Sequence, residues 1–200
     1  MKKYLFVLSA VLCAGHSLFA QSFMHGAGLN IMVATAPGGK AAVNEGFTYN
    51  PRFNFIEESN MSVSVGLPLT IGASFDYNAS YNSYSGSNSS SSVSLMLNAP
   101  LLINLNMGAG SGKNAESRFG YFVGAGFGYH YGTFNLSDAL NTGNGEYTAT
   151  RLNTFGPVGN AGIRFAVGNG SHNIEVRLQY MKGIGNSQAN IFGGGAAFNF

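Results

Sequence analysis

The segment Met61–Tyr77, MSVSVGLPLTIGASFDY, decides the fold. Every odd position is apolar: Met61, Val63, Val65, Leu67, Leu69, Ile71, Ala73, Phe75 and Tyr77. The even positions hold Ser62, Ser64, Gly66, Pro68, Thr70, Gly72, Ser74 and Asp76. A period of two belongs to an extended strand, whose successive side chains point to opposite faces. Here one face is oily over a length suited to crossing a bilayer, and the other is small or polar.

The same alternation recurs on either side. Val93 to Met107 places Val, Leu, Leu, Ala, Leu, Ile, Leu and Met on odd positions, with Met96 and Leu102 breaking an otherwise small or polar even set. Phe119 to Tyr131 has seven odd aromatic or aliphatic residues facing a mainly glycine even set. Weaker alternation runs through Phe23–Ala34, Tyr49–Phe55, Phe155–Val167, Asn173–Met181 and Phe192–Phe200, which makes eight strands. Long connections at Pro37–Glu45, Asn78–Ser91 and Asn135–Thr150, with a shorter one at Gly183–Ser187, share one end. Glu57–Asn60, Gly108–Arg118 and Gly168–His172 share the other. Long loops opposite short turns are the pattern of an outer-membrane barrel with its long loops outside the cell. The eleven-residue turn at 108–118 is the awkward member of the short set, and 81–92 is a low-complexity tract.

Composition separates this reading from a soluble barrel. Of 200 residues, 45% are apolar and 9% charged, where a soluble domain carries about 25% charge. So few charges cannot clothe a water-facing sheet. Ten basic residues stand against eight acidic ones; without Lys2 and Lys3 the balance is eight against eight, and no basic stripe points to nucleic acid. Aromatics gather at two heights of the oily face. Tyr77, Tyr129, Tyr131, Phe155 and Tyr180 lie toward the long loops. Phe119, Tyr121, Phe165, Phe198 and Phe200 lie toward the short turns, as two interfacial belts require. Lipid offers the backbone no hydrogen bonds, so such a sheet must close. The expected fold is all-β: a closed, eight-stranded, antiparallel, up-and-down transmembrane barrel over residues 21–200.

Residues 1–20, MKKYLFVLSAVLCAGHSLFA, have two lysines, an apolar run and a small residue before Gln21. They read as a secretory signal cleaved after Ala20. The run is too short for an anchor helix of about 20 residues. Leu12 stands where a lipoprotein box wants a small residue before Cys13. The single cysteine therefore leaves with the leader, and with it any disulfide or thiolate chemistry.

The leader, the eight strands, the run YFVGAGFGYHYG and the closing AAFNF resemble the small outer-membrane barrels of the OmpA/OmpX type. LFA-Q at the cut and EVRLQYMKG resemble the Bacteroidota versions. The resemblance implies residence in the outer membrane among lipid and lipopolysaccharide, as a monomer without a cofactor. It also implies insertion by the outer-membrane assembly machinery, which reads a last strand ending in Phe. Phe192, Phe198 and Phe200 match that signal, whereas Gly194 departs from it. No periplasmic peptidoglycan-binding domain is expected.

The inward face is expected to hold Arg52, Arg164, Glu175, Arg177 and Gln179, with a simple hairpin register setting Arg164 opposite Glu175. A carboxylate among arginines is a hydrogen-bonded plug, and an eight-stranded interior is just wide enough for side chains to fill it. A narrow proton or anion pore is the alternative. A lipid-A-modifying enzyme is another, using His130, Ser137 and Asp138 at the loop end, although nothing in their spacing demands it. No histidines have metal-ligand spacing. Gly108–Lys113 imitates a phosphate loop, but Met107 and Asn114 break the pattern and no helix follows. The role expected is non-enzymatic: structural, or interaction through the outer loops.

Overall fold

The structure, a computed structural model, describes residues 22–37, 39–82, 86–137, 147–168, 171–184 and 188–200. Residues 1–20, read above as a leader, and Asp138 lie outside them. Every regular element among the described residues is a strand. We number eight staves. β1 comprises Ser22–Met24 and Gly26–Thr35, β2 Ala42–Tyr49 and Arg52–Glu58, and β3 Met61–Gly66 and Leu69–Asn82. β4 is Gly86–Gly108, β5 Phe119–Ser137, β6 Tyr147–Ala166, β7 Asn173–Lys182 and β8 Asn190–Asn199.

Each stave pairs antiparallel with its sequence neighbours. The last pairs with the first, from Asn199 opposite Gly26 to Asn190 opposite Thr35, and the barrel is closed. Both described ends, Ser22 and Phe200, lie at the short-turn end, here called the lower end.

Three staves are interrupted near that end, at His25, at Asn50–Pro51 and at Leu67–Pro68. Proline brings no donor to a ladder and settles at such breaks. The ladder is carried across them by Asn50 N–H to Gly26 O (2.9 Å), Leu67 N–H to Pro51 O (3.0 Å) and Phe200 N–H to His25 O (2.9 Å). The last of these joins the chain's final residue to the first stave. The His25 ring lies edge-on to that of Phe200, 4.4 Å between centroids.

The oily face looks outward. Val123 and Leu178 are 57% and 68% exposed, and Leu67, Phe165 and Phe198 also point away from the axis, whereas Arg164 is 1% exposed. A wall that presents these side chains outward has hydrocarbon as its matching solvent.

Three expectations need correction. The segment 78–91 is mostly ladder, because β3 runs to Asn82 and β4 begins at Gly86, with Asn78 opposite Ser90. Serine- and asparagine-rich sequence carries no hydrophobic period, so only the pairing partner reveals the strand. Likewise β5 and β6 extend to Ser137 and from Tyr147, shortening the loop expected at 135–150. Glu57, assigned to a turn, lies within a strand that runs on to Glu58, past a bulge between Asn54 and Ile56.

Leu178→Arg is expected to cost about 2–4 kcal/mol, the penalty for a cation on the lipid face near mid-bilayer. Urea titration of the chain folded into phospholipid vesicles measures it; an unchanged midpoint would show that this face does not meet lipid.

Candidate functional site in the barrel lumen

The inward residues of β7, read upward, give the vertical profile of the interior: Asn173, Glu175, Arg177, Gln179 and Met181, all buried. The lower half is charged and hydrogen-bonded; the upper half combines an apolar layer with buried neutral polar side chains, Asn44, Asn98, His130 and Thr154 among them.

At the bottom, Arg164 lies directly opposite Glu175 in the β6–β7 ladder, and its Nε donates to Glu175 Oε2 at 2.7 Å. Arg177, two residues on and so on the same face, donates to Oε1 from Nη2 (2.6 Å) and Nε (3.0 Å). Asn50 Nδ2 and Asn199 Nδ2 complete the carboxylate at 3.5 and 3.3 Å. A buried carboxylate with this many donors is stabilised by charge-assisted hydrogen bonds.

Arg52 reaches the same cluster from β2 but is answered only by neutral groups. These are Asn106 Oδ1 (3.1 Å), Met24 Sδ (2.9 Å) and the Gly110 carbonyl. Asn106 Oδ1 also accepts from Arg164 Nη1 at 3.0 Å, so one amide holds two guanidiniums apart. Its Nδ2 donates to Ser62 Oγ and Ser64 Oγ.

Gln179, expected in this network, stands one layer above it. It is buried, and its Nε2 has no hydrogen-bond partner. Phe192, Phe198 and Phe200 stand on the outer wall.

Three features escaped the sequence. Phe122 turns inward and lies beneath two cations, its ring centroid 4.2 Å from the Arg164 guanidinium carbon and 5.3 Å from that of Arg177, within cation–π range. It was hidden in a run whose other inward residues are mostly glycine. Those glycines are the signal that could have revealed it. Gly162 is its ladder partner, and a Cβ there would come 2.5 Å from the ring.

The second feature is Asn106. The third is the awkward turn, which folds up into the lumen. Ala109, Gly110, Ser111 and Gly112 are buried. Ser111 O accepts from Asn54 Nδ2 (2.9 Å) and Ser62 Oγ (2.5 Å), and Gly110 O from Arg52 and Arg164. Gly110 has φ +65°, and a Cβ there would meet Asn173 Nδ2 at 2.5 Å. Glu57 stands at this lower rim, accepting from Ser22 Oγ, from Asn54 Nδ2 (3.1 Å) and from the Lys113 amide (3.2 Å).

In the upper half, Met32, Ala34, Leu102, Val158, Met181, Ala189 and Ile191 form an apolar layer inside the barrel. Above it, the two-residue strand Gly39–Lys40 pairs with Leu136 and Asn135 of β5, so the first upper connection bridges the mouth. His130 is fully buried. Ser137 lies at the end of β5 and Asp138 beyond the described residues, so the rim grouping of the three is not defined.

Glu175→Gln strips the one carboxylate that, among the described residues, bonds to the arginine cluster, and a loss of about 3–5 kcal/mol is expected. Gln179→Leu, which removes a group without a bonded partner, is expected to change stability by less than about 1 kcal/mol. Urea unfolding in micelles, followed by heat-modifiable gel mobility, compares the two; equal effects would mean that Glu175 does not anchor the cluster.

Gly110→Ala, forced to positive φ and against Asn173, is expected to cost about 1–3 kcal/mol and to open the turn to protease. Resistance equal to that of the parent chain would place the turn outside the lumen.

No protein-family model matches the sequence, and no curated protein matches it. Solved structures do match. The attachment invasion locus protein Ail of Yersinia pestis, in complex with the heparin analogue sucrose octasulfate, aligns over 92% of this chain and 100% of its own, at TM-score 0.52 and 12% identity. A second crystal structure of the same Yersinia protein aligns over the same shares at TM-score 0.51 and 12% identity. At that identity the likeness is one of fold. With the closed ladder and the outward oily wall, it establishes this chain as having the fold of the small eight-stranded outer-membrane β-barrels.

Proposed function

We propose that the chain is a non-enzymatic scaffold of the bacterial outer membrane, sealed along its axis, whose work is done by the segments at its upper, extracellular end. The observation that carries this reading is the filling of the lumen at successive levels. The inward turn, the arginine–glutamate cluster, the apolar layer and the bridging strand follow one another from bottom to top. Eight strands leave little more room than these side chains occupy, and a dry apolar constriction resists ions by dewetting.

The upper segments between 78 and 91 and between 135 and 150 contain Tyr81, Tyr84, Tyr147 and many Ser and Asn. Tyrosine with small polar residues is a composition suited to adaptable contact surfaces. Burial of His130 speaks against a rim-exposed general base and so against the lipid-A-modifying alternative. Phe192, Phe198 and Phe200 fit the role of a C-terminal signal for the assembly machinery, since they lie in phase on the outer face of the last strand. Lipid and lipopolysaccharide are the surroundings this wall suits, and a closed sheet leaves no strand edge that demands a second copy.

In planar bilayers the purified chain is expected to be silent. Deleting residues 109–116 and replacing Met181 with Ser should together produce discrete, anion-preferring steps, because they remove the lower stopper and wet the apolar layer. Discrete conductance from the unaltered chain, altered by Arg177→Gln, would support the pore instead. Lipid A from cells producing the chain should have an unchanged mass spectrum; a change abolished by His130→Ala would support the enzyme.

A further inference from the structure

Among the described residues, the charges inside the lower half of the barrel do not balance. Arg52, Arg164 and Arg177 face one carboxylate, Glu175, whose oxygens already accept five hydrogen bonds. Glu57 is at the rim and is answered by its own donors, Ser22, Asn54 and the Lys113 amide. Even if Glu57 is counted, one positive charge is left over. A buried, uncompensated charge is expensive in a low-dielectric interior, and lipid surrounds this one.

Beside the cluster lies a cavity of about 20 Å³, lined by Asn30, Thr48, Asn50, Glu175, Arg177 and Gly195 among others. That is room for one small, nearly spherical occupant, since a single water needs roughly 10–15 Å³ on the same measure. Its donors are not used up. Arg177 engages Glu175 through Nε and Nη2 and has Nη1 to spare. Asn30 is 8% exposed, and its Oδ1 has no hydrogen-bond partner. Turned so that its NH₂ takes the place of this orphaned oxygen, the amide brings a donor to the cavity wall. Thr48 and Thr70 share one hydrogen bond at 2.7 Å in which either hydroxyl can donate, so with Thr70 donating the Thr48 proton is left for another acceptor.

We propose that this cavity is a binding site for one monovalent, halide-sized anion, held by Arg177, Asn30 and Thr48 and neutralising the excess charge of the arginine cluster. The cavity has unspent donors in a field of surplus positive charge, and its one carboxylate is already saturated. The anion is a structural ligand, fixed in the folded barrel, and the site is independent of what the outer segments contact.

Bromide is the probe. The full-length mature chain, folded in detergent, is crystallised with bromide and measured at the bromine absorption edge. In parallel, its urea midpoint is followed in bromide against gluconate at equal ionic strength. One anomalous peak within hydrogen-bonding distance of Arg177 and Asn30 is expected, with a higher midpoint in bromide. Arg177→Gln should abolish both. Should that variant fail to fold, Asn30→Asp, which sets a carboxylate against the anion, should also lose the peak and the bromide dependence while retaining heat-modifiable mobility. Density without an anomalous signal, with equal midpoints in the two salts, would mean a water and overturn the proposal. Peaks on the protein surface alone would mean an adventitious ion only, and would overturn it equally.

Discussion

A single carboxylate organises the lower half of this barrel. Glu175 accepts hydrogen bonds from Arg164 and Arg177 and from two asparagines, and is 2% exposed. Closing a sheet in hydrocarbon compels every backbone group to pair and drives polar side chains to the axis. The axis of an eight-stranded barrel is too narrow to hydrate them freely. Guanidiniums there must find acceptors in the protein, and a carboxylate with carbonyls around it is the strongest set available. The inward turn follows from the same need, because Arg52 takes the Gly110 carbonyl where it has no carboxylate.

That need also accounts for the vertical order. Charge sits where the lower turn can bring its carbonyls, and the upper lumen holds the apolar layer together with neutral polar side chains such as Asn44, Asn98 and Thr154. Glycine on the inward face of β5 gives the arginines and Phe122 their volume. Gly162 does so from across the ladder, where any side chain would strike the Phe122 ring. Small residues inside and large ones outside reverse the economy of a soluble core. The oily surface is turned to the solvent it matches, and the interior is chosen for fit and hydrogen bonding.

Much of this is legible along the chain. Strong alternation, as in Met61–Tyr77 and Phe119–Tyr131, marks strands and tells which face is oily. The facing of Arg164 and Glu175 follows from a tight hairpin and a period of two, and the ladder has that register. Strands built from serine and asparagine, as at 78–91, leave no such mark, because neither of their faces is hydrophobic. The Asn54–Ile56 bulge shifts phase by one residue, which no pattern of apolar positions records. The eleven residues of 108–118 look like a loop by composition. The burial of Ala109–Gly112 among them depends on acceptors being wanted by residues from β2, β3 and β6, distant in sequence.

The sequence by itself determined the class of fold and the direction in which each strand faces, because hydrophobic alternation is a local property that only an amphipathic strand satisfies. It also determined that arginines and a glutamate would share the interior. Tertiary structure decided which of them meet. Asn106 between Arg52 and Arg164, Phe122 beneath Arg164 and Arg177, the stopper made by Gly110 and Ser111, and the separation of Gln179 from the cluster are set by height and by angle around the axis. Those two coordinates exist only once β8 has paired with β1 and the ring is closed.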